Sequence, residues 1–311
     1  MAAINQAHFQ NDEAAREHLE TMRWPDGPVC PHCDSKEAYR LTAKPGSKTP
    51  VRKGVYKCRE CREQFTVTIG TIFEDSKVPL HKWLLAIHLL CASKKGMSAH
   101  QLHRMLGVAY KTAWFMAHRI RYAMSQPPYL QKLRGIVEAD ETYIGGTQKG
   151  HKGRRILKNK QPVFAVVKRG GGVRSFHVAN VTADTLVGIL KKNVEAMSKV
   201  YTDEFVSYKR VGGRFQEHAT VNHTAGEYAR GKVHTNTIEG YFSLLKRGLN
   251  GIYHKVSQEH LHRYLSEFDF RYSNRKIEDT ERAALALKGV LGKRLTLREP
   301  KSALGLSASA N

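Results

Sequence analysis

Two cysteine pairs constrain this chain more than any other feature: Cys30-Pro31-His32-Cys33 and Cys58-Arg59-Glu60-Cys61, with 24 residues between them. The stretch from Val29 to Phe65 is rich in basic residues, Pro and Gly, and Tyr56, Phe65 and, just beyond it, Val67 could form a tiny core. So short a piece cannot fold on apolar burial alone. Each CxxC makes a tight knuckle that turns two sulfurs toward one point, and Zn2+ accepts four thiolates tetrahedrally. The spacing predicts a structural Zn2+ held by Cys30, Cys33, Cys58 and Cys61 in a zinc ribbon over 26–72. Five clustered cysteines do not make a disulfide framework, and Cys91, mid-way along an apolar run, reads as a core residue.

A length of 311 residues suggests two or three compact units. Ahead of the ribbon, residues 1–25 hold a short polar helix over 8–23, stopped by Trp24-Pro25-Asp26-Gly27-Pro28. Residues 79–126 carry apolar side chains at helical spacing and predict three helices. Ser98 is placed to start the second, Gly107 to end it, and Tyr110 to Met124 forms the third. The last two have helix-turn-helix spacing, with Lys111, Thr112, His118, Arg119 and Arg121 along the helix that would enter a major groove. A plain helical bundle with a solvated basic face is the other reading.

From 133 to 275 the texture changes to strands: GIVEADETYIGG, PVFAVVKRGG and VRSFHVANVT form a predicted antiparallel meander. A helix capped by Thr182 or Asp184 runs to about Met197, followed by the strand SKVYTDEF and a further strand FQEHATVNH. Helices are expected over 234–247 and 257–274. Three strands, a helix, two more strands and a helix is the order of an RNase H-like α/β fold. A C-terminal helix and tail fill 276–311.

Lys and Arg number 51 against 28 Asp and Glu, a net charge of +23, which calls for a polyanionic partner. With 41% hydrophobic residues the chain is no disordered polycation. Its longest uncharged stretch, Trp83 to Ser93, is far short of the roughly 20 residues that span a bilayer. The N-terminus has no basic start followed by an apolar core, so a cytoplasmic, nucleoid-associated protein is expected. The run KGHKGRRILKNK places Lys149, Lys152, Arg154 and Arg155 between two strands, where they can grip phosphates or merely stand in solvent.

Three acids carry the chemistry. Asp140 lies mid-strand, with Ile136, Glu138 and Thr142 on its face and Val137, Ala139 and Glu141 on the other. A carboxylate in a central strand is costly unless something pairs it, and Mg2+ would. Asp203 ends the strand KVYTDEF, and Glu239 lies near the start of HTNTIEGYFSLLKR with 35 residues between the two. Lys246 follows Glu239 by two helical turns on one face and can reach a phosphate. Hard cations need oxygen ligands from separate elements, and phosphoryl transfer needs such cations at the attacking and leaving oxygens.

The zinc ribbon, IVEADETYIGG, VYTDEFVSY and VHTNTIEGYFSLLKRG together resemble the bacterial DDE transposases of the insertion-sequence 1595 family, from about Cys30 to Asn274. The resemblance implies an enzyme that binds the terminal inverted repeats of its element in double-stranded DNA. It would cleave and join strands with Mg2+ or Mn2+, by hydrolysis and then transesterification, and act as a homo-oligomer in a synaptic complex. By position Asp140 and Asp203 match the first two acids of that family. Asn236 and Glu239 both sit on the third motif; the 35-residue spacing and Lys246 favour Glu239, with Asn236 the alternative. A zinc-containing helix-turn-helix regulator with structural acids and no catalysis, or a nuclease without strand transfer, would share many of these features.

Overall fold

A computed structural model describes residues 3–43, 50–125, 131–145 and 160–296. The chain divides into two compact units. One takes the described residues of Met1–Ala92, Ala99–Ala123 and Asp279–Asn311, the other those of Ser93–Ser98 and Met124–Glu278.

In the first unit the polar N-terminal helix is shorter than its sequence pattern. A 3-10 turn, Ala7–Phe9, precedes α1 (Asp12–Arg23), because the Asn11 side chain accepts from Glu13 N at 2.7 Å and Ala14 N at 3.2 Å and so starts the helix there. Strands β1 (Ala38–Arg40), β2 (Tyr56–Cys58) and β3 (Gln64–Phe65) form a small antiparallel sheet in that order. Its core is Val55, Phe65 and Val67 with Trp24, whose ring meets Tyr56 and Phe65 edge-on. Three helices follow: α2 (Leu80–Ala92), α3 (Ala99–Leu106) and α4 (Tyr110–Ala123), with Gly107 left-handed at φ +60 just past α3. Helix α2 buries most of its circumference, Cys91 included.

The second unit is built on a mixed five-stranded sheet. Strands β4 (Ile136–Ile144), β5 (Gln161–Lys168) and β6 (Val173–His177) run antiparallel. Helix α5 (Ala183–Asn193) then returns the chain to β7 (Lys199–Thr202), parallel to β4, and β8 (Glu217–Thr220) extends the sheet parallel to β7. The spatial order is β6-β5-β4-β7-β8, so β4 is central. Helix α5 ends short of the expected Met197. Val194 is already extended, and it bridges to Leu133, which captures the chain for the sheet.

A short hairpin, β9 (Ala229–Arg230) and β10 (Val233–His234), leads into α6 (Asn236–Gly248), a π turn at Leu249–Tyr253 and α7 (Gln258–Ser273). Strand alternation sends Val137, Ala139, Phe164 and Val166 toward Leu186, Val187 and Leu190 of α5. Val163, Ala165 and Val167 face Ile238, Tyr241 and Leu245 of α6 and Leu261, Leu265 and Phe268 of α7. Helices α6 and α7 approach closely at Gly248, where an added Cβ would stand 2.3 Å from the Phe268 ring. The chain then re-enters the first unit as α8 (Asp279–Lys288), and Arg282 of that helix donates to the Cys91 carbonyl at 2.8 Å. Among the described residues no helix is long and apolar enough to cross a membrane.

Candidate active site and metal centre

The four cysteines meet as their spacing requires. Cys30 Sγ lies 3.6 Å from Cys61 Sγ, Cys33 Sγ lies 3.6 Å from Cys58 Sγ, and all four sulfurs fall within 4.8 Å of one another. Thiolates about 2.3 Å from a tetrahedral Zn2+ stand roughly 3.8 Å apart, so the cradle fits that ion and is positioned to hold it. Both knuckles turn on a left-handed residue four places after the first cysteine, Asp34 at φ 57 and Arg62 at φ 64. Among the described residues this is the only group of three or more His, Cys, Asp or Glu side chains so tightly gathered.

The acids converge more loosely, from three elements of the second unit. Asp140 pairs with Ala165 across β4 and β5, which puts its side chain on the face covered by α6 and α7. Glu138 is opposite Tyr201 in the parallel β4–β7 register, and Asp203 follows directly on the last residue of β7, near enough for its charge to be felt at Asp140. Burial, then the neighbouring charges of Glu141 and Asp203, and finally Glu239, push the Asp140 carboxyl up to about 8, opposed in part by the Glu141 N–H at 2.7 Å. Burial also raises Asp203, although the Phe205 N–H donates to it at 3.0 Å. A carboxylate raised by burial and by neighbouring acids fits a hard cation, and two cations about 3.5–4 Å apart need ligands spread more widely than a single zinc does.

Asn236, Glu239 and Lys246 are all exposed on α6 at spacings of three and seven residues, one side of the helix. Glu239 Oε1 accepts from the Thr235 hydroxyl at 2.8 Å and stands 3.6 Å from His223 Nε2, which itself reaches Thr235 Oγ1 at 3.1 Å. Sequence reasoning overlooked His223 and Thr235. It also gave no role to Glu141, whose carboxylate accepts from Tyr208 OH at 2.5 Å and is raised to about 6, first by burial. Nor did it give one to Glu138, the fully buried acid of β4. Its one signal was strand parity, which set Glu138 on Asp140's face.

The expected DNA contacts on α4 need correction. Arg119 and Arg121 are buried rather than groove-facing. The Arg119 guanidinium donates to the carbonyls of Ile72 at 2.7 Å, Leu295 at 2.9 Å and Glu74 at 3.0 Å, so it ties α4 to two neighbouring segments. His118 is buried as well. Lys111 is exposed and Thr112 half-buried at the N-terminal end of the helix. Lys149, Lys152, Arg154 and Arg155 lie outside the described residues.

Comparison with known proteins agrees with both parts of the chain. Residues 10–64 match the transposase zinc-ribbon domain, and residues 132–273 match the ISXO2-like transposase domain. The chain is 32% identical over 281 residues to an uncharacterized protein in transposable element ISH50 of Halobacterium salinarum, covering 85% of this chain and 91% of that one. An uncharacterized transposase-like protein of Haemophilus influenzae is 32% identical over 101 residues, 32% of this chain and 80% of its own length. With a zinc ribbon, a mixed α/β domain and a relative matched along nearly its whole length, the chain belongs to the ISXO2-like transposases of the insertion-sequence 1595 family.

Proposed function

We propose that this transposase binds the inverted-repeat ends of its element and cleaves and joins DNA strands at a site made of Asp140, Asp203 and Glu239. The observation that carries the reading is the place of Asp140, in the central strand on the face covered by α6 and α7, with Asp203 just past the neighbouring strand and Glu239 on α6 near enough to act on its charge. A carboxylate buried beside other acids is costly unless a positive charge completes the group. The strand order β6-β5-β4-β7-β8, with three antiparallel strands followed by two parallel to the centre, supports an RNase H-like domain.

Asp140, Asp203 and Glu239 would hold Mg2+ or Mn2+, which when bound activates the attacking oxygen and stabilises the leaving one. The chain's own groups orient that constellation. The Phe205 N–H turns one oxygen of Asp203, while Thr235 and His223 hold Glu239 from the side. Lys246, exposed two turns along α6, is positioned to neutralise a phosphate of the bound strand.

End recognition falls to α3 and α4, read as a helix-turn-helix. Such motifs contact base edges from the N-terminal residues of the second helix, where Lys111 and Thr112 stand. The net charge of +23 supports extensive phosphate contact, to which the basic run around Lys149 and Arg155 contributes by composition. Joining two element ends calls for a homo-oligomer, with residence in the cytoplasm at the nucleoid.

The test is a labelled duplex carrying one end of the element, incubated with the protein, Mg2+ and an unlabelled target duplex. Cleavage at the element boundary followed by a strand-joined product is expected. Binding without cleavage would favour a DNA-binding regulator, and cleavage without joining a nuclease.

A further inference from the structure

Glu138 is 0% exposed, and it accepts four hydrogen bonds. Its Oε2 accepts from Thr237 N at 2.8 Å and Ile238 N at 3.0 Å; its Oε1 accepts from the Thr237 hydroxyl at 2.8 Å and Arg169 Nε at 2.5 Å, with His234 Nδ1 at 3.4 Å. The first N–H groups of a helix lack intrahelical partners, and a local side chain ordinarily supplies them. Thr235, at the start of α6, makes no side-chain cap: its backbone, at φ −117 and ψ 14, is not in the extended conformation of a capping residue, and its hydroxyl donates to Glu239. The cap comes instead from the middle of β4, 99 and 100 residues earlier in the chain.

Arg169 completes the clamp. While its Nε meets Glu138, its two terminal nitrogens donate to the carbonyls of Lys232 at 2.7 Å and His234 at 2.9 Å, in the hairpin that feeds α6. Its guanidinium also lies over the Tyr201 ring, 5.2 Å from the centroid, and Tyr201 is the β7 neighbour of Glu138. The Glu138–Arg169 pair thus joins β4, which bears Asp140, β7, which leads into Asp203, and the start of α6, which bears Glu239. Glu138 is neutralised by protein donors and differs in this from Asp140, two residues on.

We propose that Glu138, clamped by Arg169, is a positioning residue. It fixes the first turn of α6 against β4 and so sets where Asn236 and Glu239 stand relative to Asp140. The proposal rests on the metal-site reading above. Without the clamp all three acids remain, but the third element is free to shift, and the loss should appear first in cation affinity. Changes to groups that orient metal ligands typically cost about 10- to 100-fold in affinity.

The experiment measures Mn2+ binding to the full chain, from the electron paramagnetic resonance signal of the free ion. It uses the wild type, Asp140→Asn, Glu138→Gln and Arg169→Lys, with thermal unfolding and duplex binding recorded alongside. Glu138→Gln keeps size but faces donors with an amide; Arg169→Lys keeps charge but loses the fork to two carbonyls. Both clamp variants should raise the Mn2+ dissociation constant, Glu138→Gln by about tenfold or more. Duplex affinity should be retained, and cleavage should be partly restored at high Mn2+. Unchanged Mn2+ affinity in a folded variant, with only a lower unfolding temperature, would overturn the proposal, as would a cleavage defect that Mn2+ cannot relieve. If Glu138→Gln fails to fold, Arg169→Lys decides alone. Absence of Mn2+ binding in the wild type, or binding indifferent to Asp140→Asn, would overturn the metal-site reading and this proposal with it.

Discussion

Asn236 and Glu239 stand one turn apart on the exposed side of α6, and the carboxylate is the one whose charge is felt at Asp140. An amide oxygen lacks the charge that holds a second hard cation. Glu239→Gln should therefore reduce cleavage by more than about 100-fold with no recovery at raised Mg2+. Asn236→Ala should lose only about 10- to 100-fold in the same assay. An inactive Asn236→Ala beside a near-normal Glu239→Gln would put the amide in the metal site instead. At this scale the sequence pointed to Asp140, Asp203 and Glu239 by spacing along strands and helix. Strand parity alone could not separate Asp140 from Glu138, which share a strand face. What divides them is contact with Arg169 and the start of α6, about 30 and 100 residues away in the chain, and no local pattern encodes such pairings.

Helix α4 shows how an element misleads when read alone. Helical position alone sends its basic residues to a groove, but Arg119 and Arg121 are buried in the first unit, and for Arg119 the carbonyls of Ile72, Glu74 and Leu295 are the acceptors. Arg119→Ala would leave those acceptors without their donor, and we expect a loss of roughly 2–4 kcal/mol in unfolding free energy. Lys111→Ala, on the exposed end, should weaken duplex binding with unfolding nearly unchanged. Denaturant unfolding and a binding titration of both variants check this pair, and the opposite pattern would restore Arg119 to the DNA surface. The zinc ribbon was legible from its two knuckles because a metal cradle is specified by local turns. Cys58→Ser should remove zinc and loosen the Trp24, Phe65 and Val67 core, since metal binding and folding are one equilibrium in so small a segment. Metal analysis and unfolding of the variant test it; full zinc content would contradict the four-thiolate site.

At the scale of the whole molecule, a zinc ribbon with a helix pair and a sheet domain with an acidic cluster are separate compact units. The order of strands and helices was readable because alternation and helical period survive in each segment. Element ends were not, as at Val194, where a bridge to Leu133 stops α5 early. If the first unit binds DNA and the second carries the chemistry, as proposed, chemistry can be removed without removing DNA binding. The most direct measurement sets cleavage of an end-labelled duplex beside duplex affinity for Asp140→Asn and Asp203→Asn. Both variants keep side-chain size while losing the charge of a metal ligand, so cleavage should vanish while affinity stays within about threefold of wild type. Cleavage by either variant at close to the wild-type rate would contradict the assigned site.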